Sequence, residues 1–158
     1  MDSAELSVRI ERLAPVRVAW VRAVGRTPEA DAWRLLSDWA RPAGLLADAG
    51  RHPVFGFNNP PPAAGSDEYG YELWVAVDAD TPLPGGIGAK DFAGGLFAVA
   101  AATPGCGPDL PQRWKALLRW VHASAYTWRR TTHELERVRN PLAAADEIVL
   151  ELYLPIEG

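Results

Sequence analysis

Trp33-Arg34-Leu35-Leu36-Ser37-Asp38-Trp39 and Trp114-Lys115-Ala116-Leu117-Leu118-Arg119-Trp120 share one pattern, W-x-x-L-x-x-W. Both tryptophans of one copy lie 81 residues from those of the other. Large apolar residues at i, i+3 and i+6 fall along one face of a helix, so each copy marks a stripe that turns toward a core. Taken alone, the stripes report fold and not a ligand contact. At the same offset Val18 meets Val99, His52 meets His133, Val54 meets Leu135, Tyr71 meets Leu152 and Leu73 meets Leu154. A match that extends beyond the helices indicates a tandem duplication.

The elements between fit a β-α-β-β unit written twice. Val16, Val18 and Trp20 alternate with Arg17, Ala19 and Val21, the period of a strand. Thr27-Pro28-Glu29 supplies an N-cap, a first-turn proline and early negative charge for the first helix. Strands are expected at Val54–Phe57 and Tyr69–Val77, with turn residues from Asn58 to Asp67 and from Asp78 to Gly86. The second half offers a strand at Leu96–Ala102, a loop over Pro104–Pro108, a helix from about Leu110 to Tyr126, and strands at His133–Val138 and Ile148–Leu154. The expected fold is therefore α+β, one domain over 1–158 with pseudo-repeats at about 7–77 and 87–156.

Strand parity orients the sheet. Ile148, Leu150, Leu152 and Leu154 form an apolar face that belongs under the helices, while Val149, Glu151 and Tyr153 face the other way. Transferred to the first half, the same parity puts Tyr69, Tyr71, Leu73 and Val75 in the core and Glu72, Trp74 and Ala76 opposite. Both helices are spent on one side of an antiparallel sheet, so a ligand cleft is expected on the other, at the seam of the halves.

Composition narrows the function. The chain has 158 residues, is 48% apolar and 23% charged, and has a net charge of −4. That is a globular composition without the basic excess that a phosphate backbone demands, so nucleic acid is not expected as a partner. No apolar run nears the roughly 18 residues of a membrane span, and Met1–Arg12 does not read as an export signal. With a single cysteine, Cys106, the expectation is a cytoplasmic protein without disulfides.

Several catalytic signatures fail. His133-Glu134 opens like a zinc-protease helix, but Arg137 stands where the second histidine is required, so no metal is expected. Gly85, Gly86 and Gly88 do not complete a dinucleotide fingerprint, and no serine sits in G-x-S-x-G, so no cofactor is expected. His52, His122 and His133 read as surface or hydrogen-bonded structural residues, and Cys106, between glycines, as incidental. Glu72, Glu136 and Glu151 stay open between a solvated strand face and a functional acid.

The segments Phe55-Gly56-Phe57-Asn58-Asn59-Pro60, Tyr69-Gly70-Tyr71-Glu72-Leu73-Trp74, Gly94-Gly95-Leu96-Phe97-Ala98-Val99, Trp114–Trp120, Leu135-Glu136 and Leu152-Tyr153-Leu154-Pro155-Ile156 occur in this order in GyrI-like small-molecule-binding proteins. The resemblance runs from about Val8 to Ile156. It implies a duplicated β-α-β-β fold and a pocket for hydrophobic, often cationic, drug-like molecules with aromatic walls and a buried glutamate. Related domains are the effector-binding halves of AraC-type and MerR-type regulators. No helix-turn-helix precedes Val8, so a regulator is not expected from this chain by itself. The Asn-Asn-Pro, Tyr-Gly-Tyr-Glu and Leu-Glu segments resemble a stand-alone branch, some members of which hydrolyse the cyclopropane ring of DNA-alkylating cyclopropanoids. Phe97, Glu134 and Val138 depart from residues common in the family.

Three functions follow as expectations. A binding module would use Glu72 and Glu136 to attract a cation, with Phe55, Trp74 and Tyr153 stacking on it and Trp20 and Trp128 as further wall residues. A hydrolase would use Glu136 or Glu72 as general base, its pKa raised by an apolar pocket. A protein-interaction role is permitted by the acidic charge. The partner expected is a small molecule, and oligomeric state is left open.

Overall fold

The structure is a computed structural model and describes residues 6–102 and 110–158. The loop expected over Pro104–Pro108, with Cys106, lies outside the described residues. Contacts divide the chain into two compact units, Val16–Phe92 and the N-terminal stretch to Pro15 together with Ala93–Gly158.

In the unit Val16–Phe92 the elements are β2 (Val16–Gly25), α1 (Pro28–Ala40), β3 (Val54–Asn58), β4 (Tyr69–Val77) and β5 (Gly88–Phe92). The strands are all antiparallel, in the order β3-β4-β2-β5. In the other unit, β1 (Val8–Leu13), β6 (Gly95–Ala102), β9 (Leu150–Glu157) and β8 (Leu135–Val138) lie side by side in that order. The helix α2 (Leu110–Ala123) and the two-residue strand β7 (Thr127–Trp128), paired with β9, complete it. Each unit is thus α+β, with one helix and an antiparallel sheet.

The first strand of each expected repeat is exchanged. β1 opens the first repeat but pairs with β6 of the second, and β5 opens the second but pairs with β2 of the first. Neither strand was expected from the sequence. Both are short and mix charged with apolar residues, Val-Arg-Ile-Glu-Arg-Leu and Gly-Ala-Lys-Asp-Phe, so neither presents a long apolar signal.

The helices bear out the duplication. Leu36 and Leu117, the central residues of the two stripes, are both 0% exposed, while the tryptophans on either side are half-buried. Around α2, Leu117 and Val121 pack with Ala98, Ala100, Ala102, Leu152, Leu154 and Ile156. The alanines of β6 admit the helix closely, and the leucine face of β9 lies under it as parity requires. In the other unit the Tyr69 hydroxyl donates to the Glu29 carboxylate of α1 at 2.7 Å. That bond places the helix on the Tyr69, Tyr71, Leu73 side of β4 and raises the Tyr69 hydroxyl above its ordinary pKa. Thr27 stands at the N-cap, but its side chain makes no capping bond; Pro28 opens the helix instead.

The 81-residue offset does not hold everywhere. Phe57 stands opposite Glu72 and Leu135 opposite Tyr153, so β3 and β8 correspond at residues 78 apart. An even offset in place of an odd one turns every side chain of β8 to the other face from the one expected.

Candidate functional site

β2, β3, β4 and β5 bring one aromatic cluster together on the side of their sheet away from α1. Register sets Trp20 opposite Trp74, Phe55 opposite Trp74, and Phe57 opposite Glu72. The Phe57 and Trp74 rings meet edge to face with centroids 5.1 Å apart, and Trp74 meets Phe92 at 5.3 Å. Phe92 meets Phe55 at 6.1 Å. Of the expected site residues, then, Phe55, Glu72, Trp74 and Trp20 share one face.

Glu72 is the polar centre of that face and only 2% exposed. Its Oε2 accepts from Trp74 Nε1 and from Lys90 Nζ, each at 2.6 Å, and its Oε1 accepts from Asn59 Nδ2 at 3.1 Å. Burial by itself would raise the carboxyl pKa. The hydrogen bonds from Lys90, Trp74 and Asn59 outweigh it and hold the group below its ordinary value. The raised, near-neutral glutamate expected of an apolar pocket is not what the chain builds at Glu72.

Lys90 and Asn59 had no role in the sequence reading. Lys90 reaches Glu72 from the edge strand β5, and its ammonium stands 4.5 Å from the Trp20 ring centroid and 5.5 Å from that of Trp74. Asn59 is delivered by the hairpin that carries the two family-like segments. The Asn59 N–H donates to the Gly70 carbonyl at 2.9 Å, and the Gly70 N–H donates to the Pro60 carbonyl at 2.8 Å. The Asn-Asn-Pro and Tyr-Gly-Tyr-Glu segments are therefore two sides of one hydrogen-bonded turn.

Beyond Trp20 a cavity of about 690 Å³ opens at the outer edge of β2, lined chiefly by Trp20, Arg22, Leu35, Asp38, Trp39 and Ile87. Register puts Gly88 opposite Trp20, and a Cβ on Gly88 would come within 2.3 Å of the indole nitrogen. The strand β5 thus begins with the residue that leaves room for Trp20. Trp39, expected only as helix core, borders this cavity.

The other unit carries a polar network on the corresponding side of its sheet. Tyr153 is 0% exposed. Its hydroxyl donates to Glu11 Oε2 at 2.6 Å and accepts from Arg137 Nη1 at 3.0 Å and Arg9 Nη2 at 3.3 Å. Burial, then the bond to Glu11, pushes its pKa up against the opposing pull of Arg137. Glu151 accepts from Arg9 at 2.7 Å and from Arg139 Nε. Burial again acts upward on this carboxyl, and the two arginines together hold it below its ordinary value. Tyr153→Phe is expected to lower stability by about 1–3 kcal/mol, because the buried Arg137 guanidinium loses the hydroxyl it donates to and Glu11 loses a donor. Urea unfolding of the variant checks this, and an unchanged midpoint would show that the network adds nothing to stability.

Glu136 falls on the other face from the one that parity predicts, and Trp128, a further wall candidate, lies on the same side as Glu136. Glu136 stands opposite Leu152, and Trp128 opposite Ile156, so both project to the α2 side of their sheet, away from Tyr153. The 78-residue correspondence of β3 and β8 is the cause for Glu136. Trp128 packs against the α2 core cluster. His52 matches its structural reading, with Nδ1 2.8 Å from the Ala76 carbonyl. Among the described residues no three His, Cys, Asp or Glu gather as a metal site requires, and no helix is long and apolar enough to cross a membrane.

A family model for the GyrI-like small-molecule-binding domain matches residues 6–157. The chain belongs to the GyrI-like family. No curated protein matches the sequence. Among solved structures, the EcmrR C-terminal domain aligns with a TM-score of 0.67 at 13% identity, over 97% of this chain and 98% of that one. In the EcmrR–DNA complex this chain spans only 57% of the longer EcmrR chain. SAV2435, solved with tetraphenylphosphonium bound, aligns with a TM-score of 0.61 at 14% identity, covering 96% and 94% of the two chains. A hydrolase from Listeria innocua aligns at 0.65 and 9% identity, covering 95% and 91%. At such identities the likeness is one of fold. GyrI-like domains are small-molecule-binding domains, and the aromatic face around Glu72 is this member's candidate site.

Proposed function

We propose that this GyrI-like chain binds a predominantly apolar, aromatic small molecule in the cavity beyond Trp20, with the Glu72–Lys90 pair as its polar end. The observation that carries the reading is Trp20 itself, which lines the cavity on one side and lies beneath the Lys90 ammonium held by Glu72. A volume of about 690 Å³ suits a drug-sized ligand, and Trp20, Leu35, Trp39 and Ile87 supply apolar wall. A structural neighbour with tetraphenylphosphonium bound supports an aromatic ligand class.

Calorimetric titration with triphenylphosphine oxide, a neutral aromatic probe, tests this. Trp20→Ala is expected to weaken binding by on the order of tenfold or more, the scale for losing a buried aromatic anchor. Unaltered binding by both Trp20→Ala and Trp39→Ala would place the ligand elsewhere.

Hydrolysis of an electrophilic ring is the less supported reading. A general base works best with a pKa near the working pH, whereas Glu72 has its oxygens engaged by three donors and a lowered pKa. Glu136 lies on the α2 side of β8. Release of ring-opened product from a cyclopropanoid electrophile would reverse this preference.

A further inference from the structure

A buried carboxylate facing two indole rings is the arrangement that attracts an organic cation. In this chain a cation already occupies it. Lys90 Nζ is 2.6 Å from Glu72 Oε2, 4.5 Å from the Trp20 centroid and 5.5 Å from the Trp74 centroid. The lysine comes from an edge strand, and its side chain is 38% exposed against 2% for Glu72. It can therefore withdraw into water without unfolding the strand.

We propose that Lys90 is a tethered cation that fills the acid–indole subsite, so that the site selects neutral aromatic molecules and admits an organic cation only by displacing the lysine. This rests on the small-molecule reading above and gives it a ligand class. Specificity of this kind is a difference between affinities, set here by an element that opposes the wrong ligand. Three features point the same way. The carboxylate is charge-balanced before any ligand arrives, its oxygens are already engaged, and the two indoles nearest the acid face an ammonium.

The test compares tetraphenylphosphonium with neutral triphenylphosphine oxide by calorimetry. Lys90→Met is expected to tighten phosphonium binding by on the order of tenfold or more and not to tighten oxide binding, since only the cation competes with the ammonium and the neutral probe loses the polar partner that Lys90 offers it. Lys90→Arg, which keeps a cation on Glu72, should show no such gain for phosphonium. Lys90→Gln keeps a donor to Glu72 and serves if the methionine variant does not fold.

The unaltered chain gives a second measurement. It has two lysines, Lys90 and the exposed Lys115, so their side-chain methylene signals in NMR are readily told apart. The Lys90 signal should be shifted by the indole ring currents and should move toward that of Lys115 as phosphonium is added. Oxide binding with no gain for phosphonium in the folded Lys90→Met or Lys90→Gln variant would overturn the tethered-cation proposal and spare the small-molecule reading. An unshifted Lys90 signal would overturn it as well. Failure of both probes to bind any version would overturn the reading and the proposal together.

Discussion

Gly70→Ala is expected to destabilise the unit Val16–Phe92 by about 3 kcal/mol, at the upper end of the usual cost of forcing an extra carbon into a filled space. A Cβ at this position would lie 1.9 Å from the Asn59 carbonyl oxygen, 2.5 Å from its carbon and 2.6 Å from Pro60 Cδ. Two of these three are backbone atoms, and the same backbone is held to Gly70 by hydrogen bonds in both directions. It cannot step aside without breaking them. The side chain of Asn59 would move with it and leave Glu72 Oε1 without its donor. Gly25→Ala is the control, because a Cβ there meets nothing within 4 Å and should change stability little. Urea unfolding followed by circular dichroism reads both, and equal midpoints for the two variants would show that the turn yields more easily than its contacts indicate.

Sequence pattern reaches far into this fold where periodicity is strong. The two tryptophan stripes, the leucine face of β9 and the parity of β4 each extend over several turns or residue pairs, and each agrees with the observed packing. Placing Glu72, Trp74 and Phe55 on one face follows from that parity, and Trp20, a further wall candidate, joins them through its register opposite Trp74. Two kinds of information were out of reach. A repeat offset is fixed only within an element, since a loop can change length without cost to the core, and a slip of three residues at β8 sent Glu136 to the other side. Short edge strands leave little trace, and β1 and β5 deliver the cations Arg9 and Lys90 that neutralise Glu151 and Glu72. Without a sequence signal for those strands, both acids read as ligand groups or solvated charges. Asn59 was visible as part of a family-like segment, but its bond to Glu72 depends on a turn closed by Gly70.

Charge placement therefore separates the aromatic face from an ordinary cation trap, and the largest effect is expected where that charge is removed. Glu72→Met, similar in volume, should cost about 3 kcal/mol, because the buried Trp74 Nε1 and the half-buried Asn59 Nδ2 would both lose their acceptor, at about 1–3 kcal/mol each. Lys90, being partly exposed, can turn to water and adds less. Pairing the change with Lys90→Met should not restore stability fully, since the two neutral donors stay unsatisfied. Acid dependence gives an independent check. The folded Glu72 carboxyl titrates below its ordinary value of 4.5 and the unfolded one near it, so between the two values the unfolded chain binds more protons. Its stabilisation is complete above the unfolded pKa and is lost as pH falls through the folded one. Glu72→Met should flatten the stability profile over that acid range while Glu151, depressed in the same sense by Arg9 and Arg139, still contributes its part. A variant whose stability falls with acid as steeply as that of the unaltered chain would assign the acid limb to Glu151, and would mean that the Lys90 ammonium holds Glu72 less tightly than its 2.6 Å contact implies.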